Sequence, residues 1–241
     1  MRRFVIACVL VAGIAGAATA DPIQVVFEIE DLGSFTVELL DATPLHRDNF
    51  LYYVENDLYD GSIINRSDAG NHVFQGGGFC LAADPTFLLD YVPVNGTVDY
   101  EGHLGGSNVL YSLGMARNAD PDSGSNQWYI NMGDNSAWFD HDFGTGAEGY
   151  TVFGNVVDGF GVVDAIYAQN IWNAGMYFST DGTTENGNFV NLPLMDTFDN
   201  TDPLEQTDFV VVTSAAVVPE PATLALVAAG GLALLRRRAR R

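Results

Sequence analysis

Lysine is missing altogether, and only ten arginines stand against 31 carboxylates. Seven of the ten lie near the chain ends: Arg2, Arg3, Arg236, Arg237, Arg238, Arg240 and Arg241. The body from Asp21 to Val218 therefore keeps only Arg47, Arg66 and Arg117 beside 30 acids, a formal charge of −27. Such a surface repels phosphate backbones, which excludes nucleic acid as a partner class. Cysteine is nearly absent as well. Cys8 falls in the N-terminal segment, so Cys80 stands alone in the body and no internal disulfide can form. Cys80 reads as a small buried hydrophobe. No G-x-S-x-G occurs, which leaves no motif for a serine hydrolase. His46, His72, His103 and His141 lack zinc spacing and read as unconnected surface or hydrogen-bonding residues. Asn118, Asp120, Asp122 and Gly124 hint at a calcium loop, but the twelfth position from Asn118 is Tyr129 rather than an acid. Gly76-Gly77-Gly78 opens onto no helix, so it makes no phosphate site. Nothing in this inventory calls for a metal or a cofactor.

Long apolar runs are also lacking, and the two shorter ones lie at the ends. Arg2 and Arg3 precede the run Phe4–Ala17, and Ala18-Thr19-Ala20 precedes Asp21. Basic start, short apolar stretch and A-x-A site read as a secretory signal over residues 1–20. At the other end Val218-Pro219-Glu220-Pro221 leads into the 14-residue run Ala222–Leu235 and the arginine cluster. That run is short of the roughly 20 residues a spanning helix needs. Pro-Glu-Pro, apolar run and arginines together resemble the bacterial PEP-CTERM sorting signal, here over 217–241. The resemblance implies transient membrane insertion and export to the cell surface, periplasm or extracellular matrix. A plain tail anchor is the alternative, and both place the body outside the cytoplasm.

Within the body, Ile23–Glu30 and Ser34–Leu40 alternate cleanly around the turn Asp31-Leu32-Gly33. Ile23, Val25, Phe27 and Ile29 share one face, as do Phe35, Val37 and Leu39. Thr43-Pro44 reads as the N-cap and first residue of a helix running to about Glu55, with Phe50, Tyr53 and Val54 turned inward. A second helix is expected over Phe160–Ala168, with Phe160, Val163 and Tyr167 on its buried side. Further strands are expected up to Arg66, at Val73–Gly77, Leu110–Ala116, Gln127–Asn131, Thr151–Val157 and Phe209–Ser214, with a short one at Thr97–Tyr100. Ala137–Asp140 reads as a turn. Gln169–Thr207, rich in Asn, Gly, Thr and Asp, shows no sustained period and reads as an inserted loop. The pattern predicts a mainly β protein: one closed antiparallel barrel of short strands capped by two helices. The body is expected to be monomeric.

Two stretches carry the chemistry. Leu110–Asn131, LYSLGMARNADPDSGSNQWYIN, is strand, polar loop and aromatic strand. Trp128 and Tyr129 point to opposite faces, so one packs inward while the other lines a groove. Ile64–Phe79, INRSDAGNHVFQGGGF, places an arginine before a loop and a strand ending in Gln-Gly-Gly-Gly-Phe. Two of the body's three cations fall inside these stretches. Together they resemble the cyclophilins, the peptidyl-prolyl isomerase family marked by FHR…QGG and MA[NR]…SQFF, in its bacterial secreted branch. The resemblance covers about Ile23–Ala168 and the last strand, and leaves 169–207 outside.

It implies an eight-stranded cyclophilin-like barrel over 21–216 that isomerises Xaa-Pro bonds of exported proteins, with proline-containing peptides as substrates and no cofactor. The barrier of roughly 20 kcal/mol comes from amide resonance, which twisting about C–N removes. A guanidinium that donates to the prolyl nitrogen stabilises that twisted state. By resemblance this is Arg66, oriented by Gln75. The pocket implied is Val73, Tyr129 and Phe139, with Trp138 and Tyr150 at its rim. Ala116 and Arg117 present backbone, and His72 and Gln127 also contact the peptide. This chain departs from the family at three points. FHR is Ile64-Asn65-Arg66, the following loop is one residue longer, and His72 stands where an aromatic is usual. A non-catalytic peptide-binding or matrix module on the same barrel is the rival reading.

Overall fold

The computed structural model describes residues 22–84, 87–142, 144–180, 183–199 and 203–219. The N-terminal segment read as a signal, and the C-terminal segment beyond Pro219, lie outside the described residues.

Eight strands close on themselves. They are β1 (Gln24–Ile29), β2 (Gly33–Leu39), β3 (Ser62–Asp68), β4 (Val73–Leu81), β6 (Ser112–Met115), β7 (Trp128–Asn131), β8 (Val152–Asp158) and β11 (Val211–Val217). The order runs β4-β3-β11-β1-β2-β8-β6-β7, and β7 pairs back onto β4. Every pairing around this ring is antiparallel. Closure leaves the ring no unpaired edge, which disposes of the aggregation hazard of so many β-rich segments.

Alternation fills the interior as expected. Val25, Phe27, Ile29, Phe35, Val37 and Leu39 are all at most 3% exposed and belong to one core. Their aromatic neighbours interlock: Phe27 stacks on Phe35 at 5.0 Å and meets Trp128 at 5.1 Å, while Phe50 meets Phe153 at 5.2 Å. Truncating any one of these rings to alanine would cost about 3–5 kcal/mol.

Helix α1 (Pro44–Glu55) buries Phe50, Tyr53 and Val54 as the spacing requires, and also His46. Thr43 sits at the N-cap position, yet its side chain caps nothing. The cap comes from far along the chain: the carboxylate of Glu101, itself 4% exposed, accepts from the backbone N–H groups of Leu45 and His46. The anion thus meets the positive end of the helix dipole and two of its orphan donors. Two further helices, α2 (Ser136–Phe139) and α3 (Phe160–Tyr167), complete the fold, so the two-helix expectation gains a one-turn helix where a turn was read. In α3 the buried side chains are Val163 and Ile166, not Phe160 and Tyr167. Phe160 instead packs at the surface against Tyr111, ring centres 4.9 Å apart. A helix of eight residues buries a single narrow stripe, and that stripe is set by contact with β2. At Thr97–Tyr100 only an isolated bridge forms, between Val98 and Gly124.

The largest difference is in 169–207. Rather than a loop, it carries the hairpin β9 (Asn170–Thr180) and β10 (Thr183–Leu194), which joins the sheet through β5 (Leu89–Tyr91) on the flank of β4. Phe189, Leu192 and Leu194 form a second apolar cluster with Ile63, Leu89, Phe209 and Val211, outside the barrel. Burial against an existing sheet, not strand propensity, orders this polar-rich segment.

Candidate active site

A bulge at Asn65 sets the geometry of the candidate residues. Ile64 pairs with Gly76 and Arg66 pairs with Gln75, so β3 spends one extra residue there. In a regular strand residues two apart share a face; the bulge breaks that rule. Ile64 lies in the barrel core, 0% exposed, while the Arg66 side chain comes out on the other face, 41% exposed. Continuing across the sheet, Gln75 lies opposite Tyr129, and Tyr129 opposite Gly114. Directly opposed residues share a face, so Arg66, Gln75 and Tyr129 form one row over β3, β4 and β7. Trp128, the alternate of Tyr129, is in the core.

Each member of the row is held. Arg66 Nη2 donates to Asp68 Oδ2, and the same carboxylate accepts from Gly70 N, Asn71 N and Asn71 Nδ2. Burial alone would raise the Asp68 pKa; the hydrogen bonds from Asn71 and Gly70, with the Arg66 charge, outweigh it and hold the carboxyl below its ordinary value. Gln75 Nε2 donates to Gln127 Oε1 at 2.6 Å. The far end of the Tyr129 ring sits against Gly114, where an added Cβ would come within 2.2 Å of it, so a larger residue there would displace Tyr129.

Three aromatic rings meet beside this row. Tyr129 is edge-on to Phe139 at 6.1 Å and to Tyr150 at 6.0 Å, and Phe139 meets Tyr150 at 4.9 Å. Val73 is 5% exposed, and Trp138 projects with 83% of its surface in solvent. Arg117 holds the wall with its side chain. It donates to the carbonyls of Gly149 and Glu148, and its guanidinium lies 4.7 Å over the Tyr150 ring. Ala116 N donates to Gln127 O at 3.0 Å. His72 takes a left-handed backbone, φ 48°, at the turn between β3 and β4, and its exposed ring lies beside Gly133.

The hub behind the pocket had no signal in the sequence. Asn108, 0% exposed, accepts from the Tyr129 hydroxyl at 2.6 Å and from Asn131 Nδ2. Its own Nδ2 donates to the Phe139 and Tyr150 carbonyls and to Asp140 Oδ1. Asn135 extends the network from Asn131 Oδ1 to the Asn71 carbonyl, next to His72. One buried amide therefore ties the Tyr129 hydroxyl to the backbone of Phe139 and Tyr150. Burial pushes the Tyr129 phenol well above its ordinary pKa, so it remains a hydrogen-bond donor.

The side chains of the supposed calcium loop accept from backbone N–H groups instead. Asp120 accepts from Asp122 N, Asn118 Oδ1 from Asp120 N, and Asp122 from Tyr100 N. His46 takes the hydrogen-bonding alternative rather than the surface one: its Nδ1 lies 2.8 Å from Glu101 Oε2 in a buried pair. Burial lowers its pKa from 6.5, against the raising effect of Glu101. A depressed histidine favours the neutral form in the fold, so its contribution is present above about pH 6.5 and lost as pH falls through the folded value. The stability difference between the wild type and His46→Gln is thus expected to shrink between pH 7.5 and 5, read by denaturant midpoints.

Residues 24–186 match the family described as cyclophilin type peptidyl-prolyl cis-trans isomerase/CLD, and residues 217–241 match the PEP-CTERM protein-sorting motif. A peptidyl-prolyl cis-trans isomerase of Acinetobacter baylyi is 36% identical over 137 residues, 56% of this chain and 68% of that protein. One from Streptomyces antibioticus is 39% identical over 136 residues, 56% of this chain and 77% of that protein. Among solved structures, a Cryptosporidium parvum cyclophilin type isomerase, crystallised in the presence of the dipeptide Ala-Pro, superposes with a TM-score of 0.54 at 15% identity. That match covers 82% of this chain and 99% of the other, and speaks for the fold.

Proposed function

Because this chain belongs to the cyclophilin-type peptidyl-prolyl cis-trans isomerases, we propose that the row Arg66, Gln75 and Tyr129 with its neighbouring rings is the active site, and that exported proteins are its clients. The observation that carries this reading is the pairing of Arg66 with Gln75 beside three fixed aromatic rings, on one outer face of the barrel. The prolyl ring packs against Tyr129, Phe139 and Val73, with Tyr150 and Trp138 at the rim. Arg66 carries five N–H donors in a rigid fork, so the bond to Asp68 leaves others to face the prolyl nitrogen. As the C–N bond twists, the nitrogen lone pair localises and accepts that hydrogen bond, which is weaker in the planar ground state. Asp68, ionised throughout the neutral range, keeps the guanidinium in place. Gln75 gives one of its two amide N–H groups to Gln127, and its carbonyl end is the part that orients Arg66 or receives a peptide N–H. Gln127, His72 and the backbone of Ala116 and Arg117 extend the contact along the peptide.

The sorting motif over 217–241 directs export and cell-surface targeting. In the proposal residues 1–20 are a cleaved signal, the apolar tail inserts transiently in the membrane, and the body works as a monomer at the surface, in the periplasm or in the matrix.

Steady-state isomerisation of a short Ala-Pro peptide tests the site. Trp138→Ala removes an exposed rim contact that binds ground and twisted states alike, so KM is expected to rise about 5–10-fold with kcat nearly unchanged. Unaltered kinetics would remove Trp138 from the rim. No acceleration by the wild type would leave the binding module as the better reading.

A further inference from the structure

Next to the pocket wall, the fold assembles a group of rings that the proline chemistry does not use. Tyr100, His103 and His141 stand in a near-equilateral triangle, with ring centres 6.1, 6.1 and 6.2 Å apart. His103 is exposed and His141 half-buried. His141 Nδ1 is turned inward to the Tyr100 hydroxyl at 3.4 Å, a long contact for a hydrogen bond. That hydroxyl also receives the backbone N–H of Gly149, the residue before Tyr150. Sequence spacing hid this pair, because the two histidines come from separate loops that only the fold brings together.

We propose that His103 and His141 form a binding site for a divalent transition cation of the zinc, nickel or copper class. Imidazole nitrogens suit these borderline metals. With metal–nitrogen bonds of about 2.0–2.1 Å, tetrahedral ligation would put two imidazole centres about 5 Å apart. The rings must therefore close by roughly 1 Å, which rotation of the exposed His103 side chain toward His141 supplies. The Tyr100 hydroxyl lies on the third side of the triangle as a neutral oxygen neighbour. Among the described residues no three His, Cys, Asp or Glu side chains converge on one point, so water completes the shell and the affinity is that of a two-imidazole site. At Tyr100 the Arg117 charge is the largest nearby and acts against a cation, while the carboxylates of Glu148 and Asp140 act for one. An occupied site would tie the Glu101–Leu104 turn to the segment after Asp140, through Tyr100 and Gly149, and so fasten the wall that carries Tyr150.

Calorimetric titration of the full chain with Zn2+ tests this, with Ca2+ as the carboxylate-seeking control. One Zn2+ is expected to bind with micromolar affinity and to raise the unfolding temperature. His103→Ala and His141→Ala should each weaken binding at least tenfold and abolish the thermal shift, while Ca2+ binding stays as it was. Zn2+ binding that persists in both variants belongs to the diffuse carboxylate surface and overturns the site, as does no binding up to millimolar Zn2+.

Discussion

Arg66→Ala is expected to lower kcat/KM for an Ala-Pro peptide by about 10²–10³-fold, the usual loss when one preorganised donor to a transition state is removed. The loss should fall on kcat, with peptide affinity within a few-fold of the wild type, because the donor acts on the twisted nitrogen rather than on the bound planar amide. Arg66→Lys should recover little, since one ammonium cannot both hold Asp68 and reach the substrate in the fork geometry of Arg66. The variant should fold. The side chain is 41% exposed and its partner Asp68 keeps three other donors, from Gly70 and Asn71.

The second large effect is on stability. Asn108→Ala deletes the amide on which Tyr129, Phe139 and Tyr150 all depend. It leaves the Tyr129 hydroxyl and the Tyr150 carbonyl without that partner, while the Phe139 carbonyl keeps the Tyr150 N–H, at about 1–3 kcal/mol for each group left unsatisfied. A total near 3 kcal/mol is expected, or roughly 10 °C in Tm for a domain of this size. Activity should fall further than the folded fraction does, because the pocket rings lose their common anchor. Tyr129→Phe removes only the donor and should cost about 1 kcal/mol. Equal losses from the two substitutions, measured by denaturant midpoints, would mean that Asn108 anchors Tyr129 alone.

What could be read in advance follows from which signals are local. The alternation of Val25, Phe27 and Ile29 against Phe35, Val37 and Leu39 is a property of each strand by itself, and the interior is built from it. The opposition of Trp128 and Tyr129 is equally local: one is in the core, the other in the outer row. The bulge at Asn65 is not local. It is a one-residue mismatch with a partner strand, and no residue in Ile64-Asn65-Arg66 announces it. Yet it decides which face Arg66 takes. Asn108 and Glu101 were silent for the same reason: each acts on residues more than 20 positions away. Residues 169–207 misled by composition, because Asn, Gly and Thr dilute the apolar positions that pack β10 against Ile63 and Leu89. In α3 the expected face Phe160, Val163 and Tyr167 gave way to Val163 and Ile166, as the contact with β2 chose the stripe.

The most direct test of the isomerase site is exchange spectroscopy by NMR on an Ala-Pro peptide with catalytic amounts of the protein, beside Arg66→Ala at equal concentration. Cis and trans signals that exchange in seconds or faster with the wild type, and at nearly the uncatalysed rate of tens to hundreds of seconds with the variant, are the expected result. Peptide signals that broaden or shift on binding while exchange stays uncatalysed with the wild type would contradict it, and would leave a barrel that holds proline peptides without turning them.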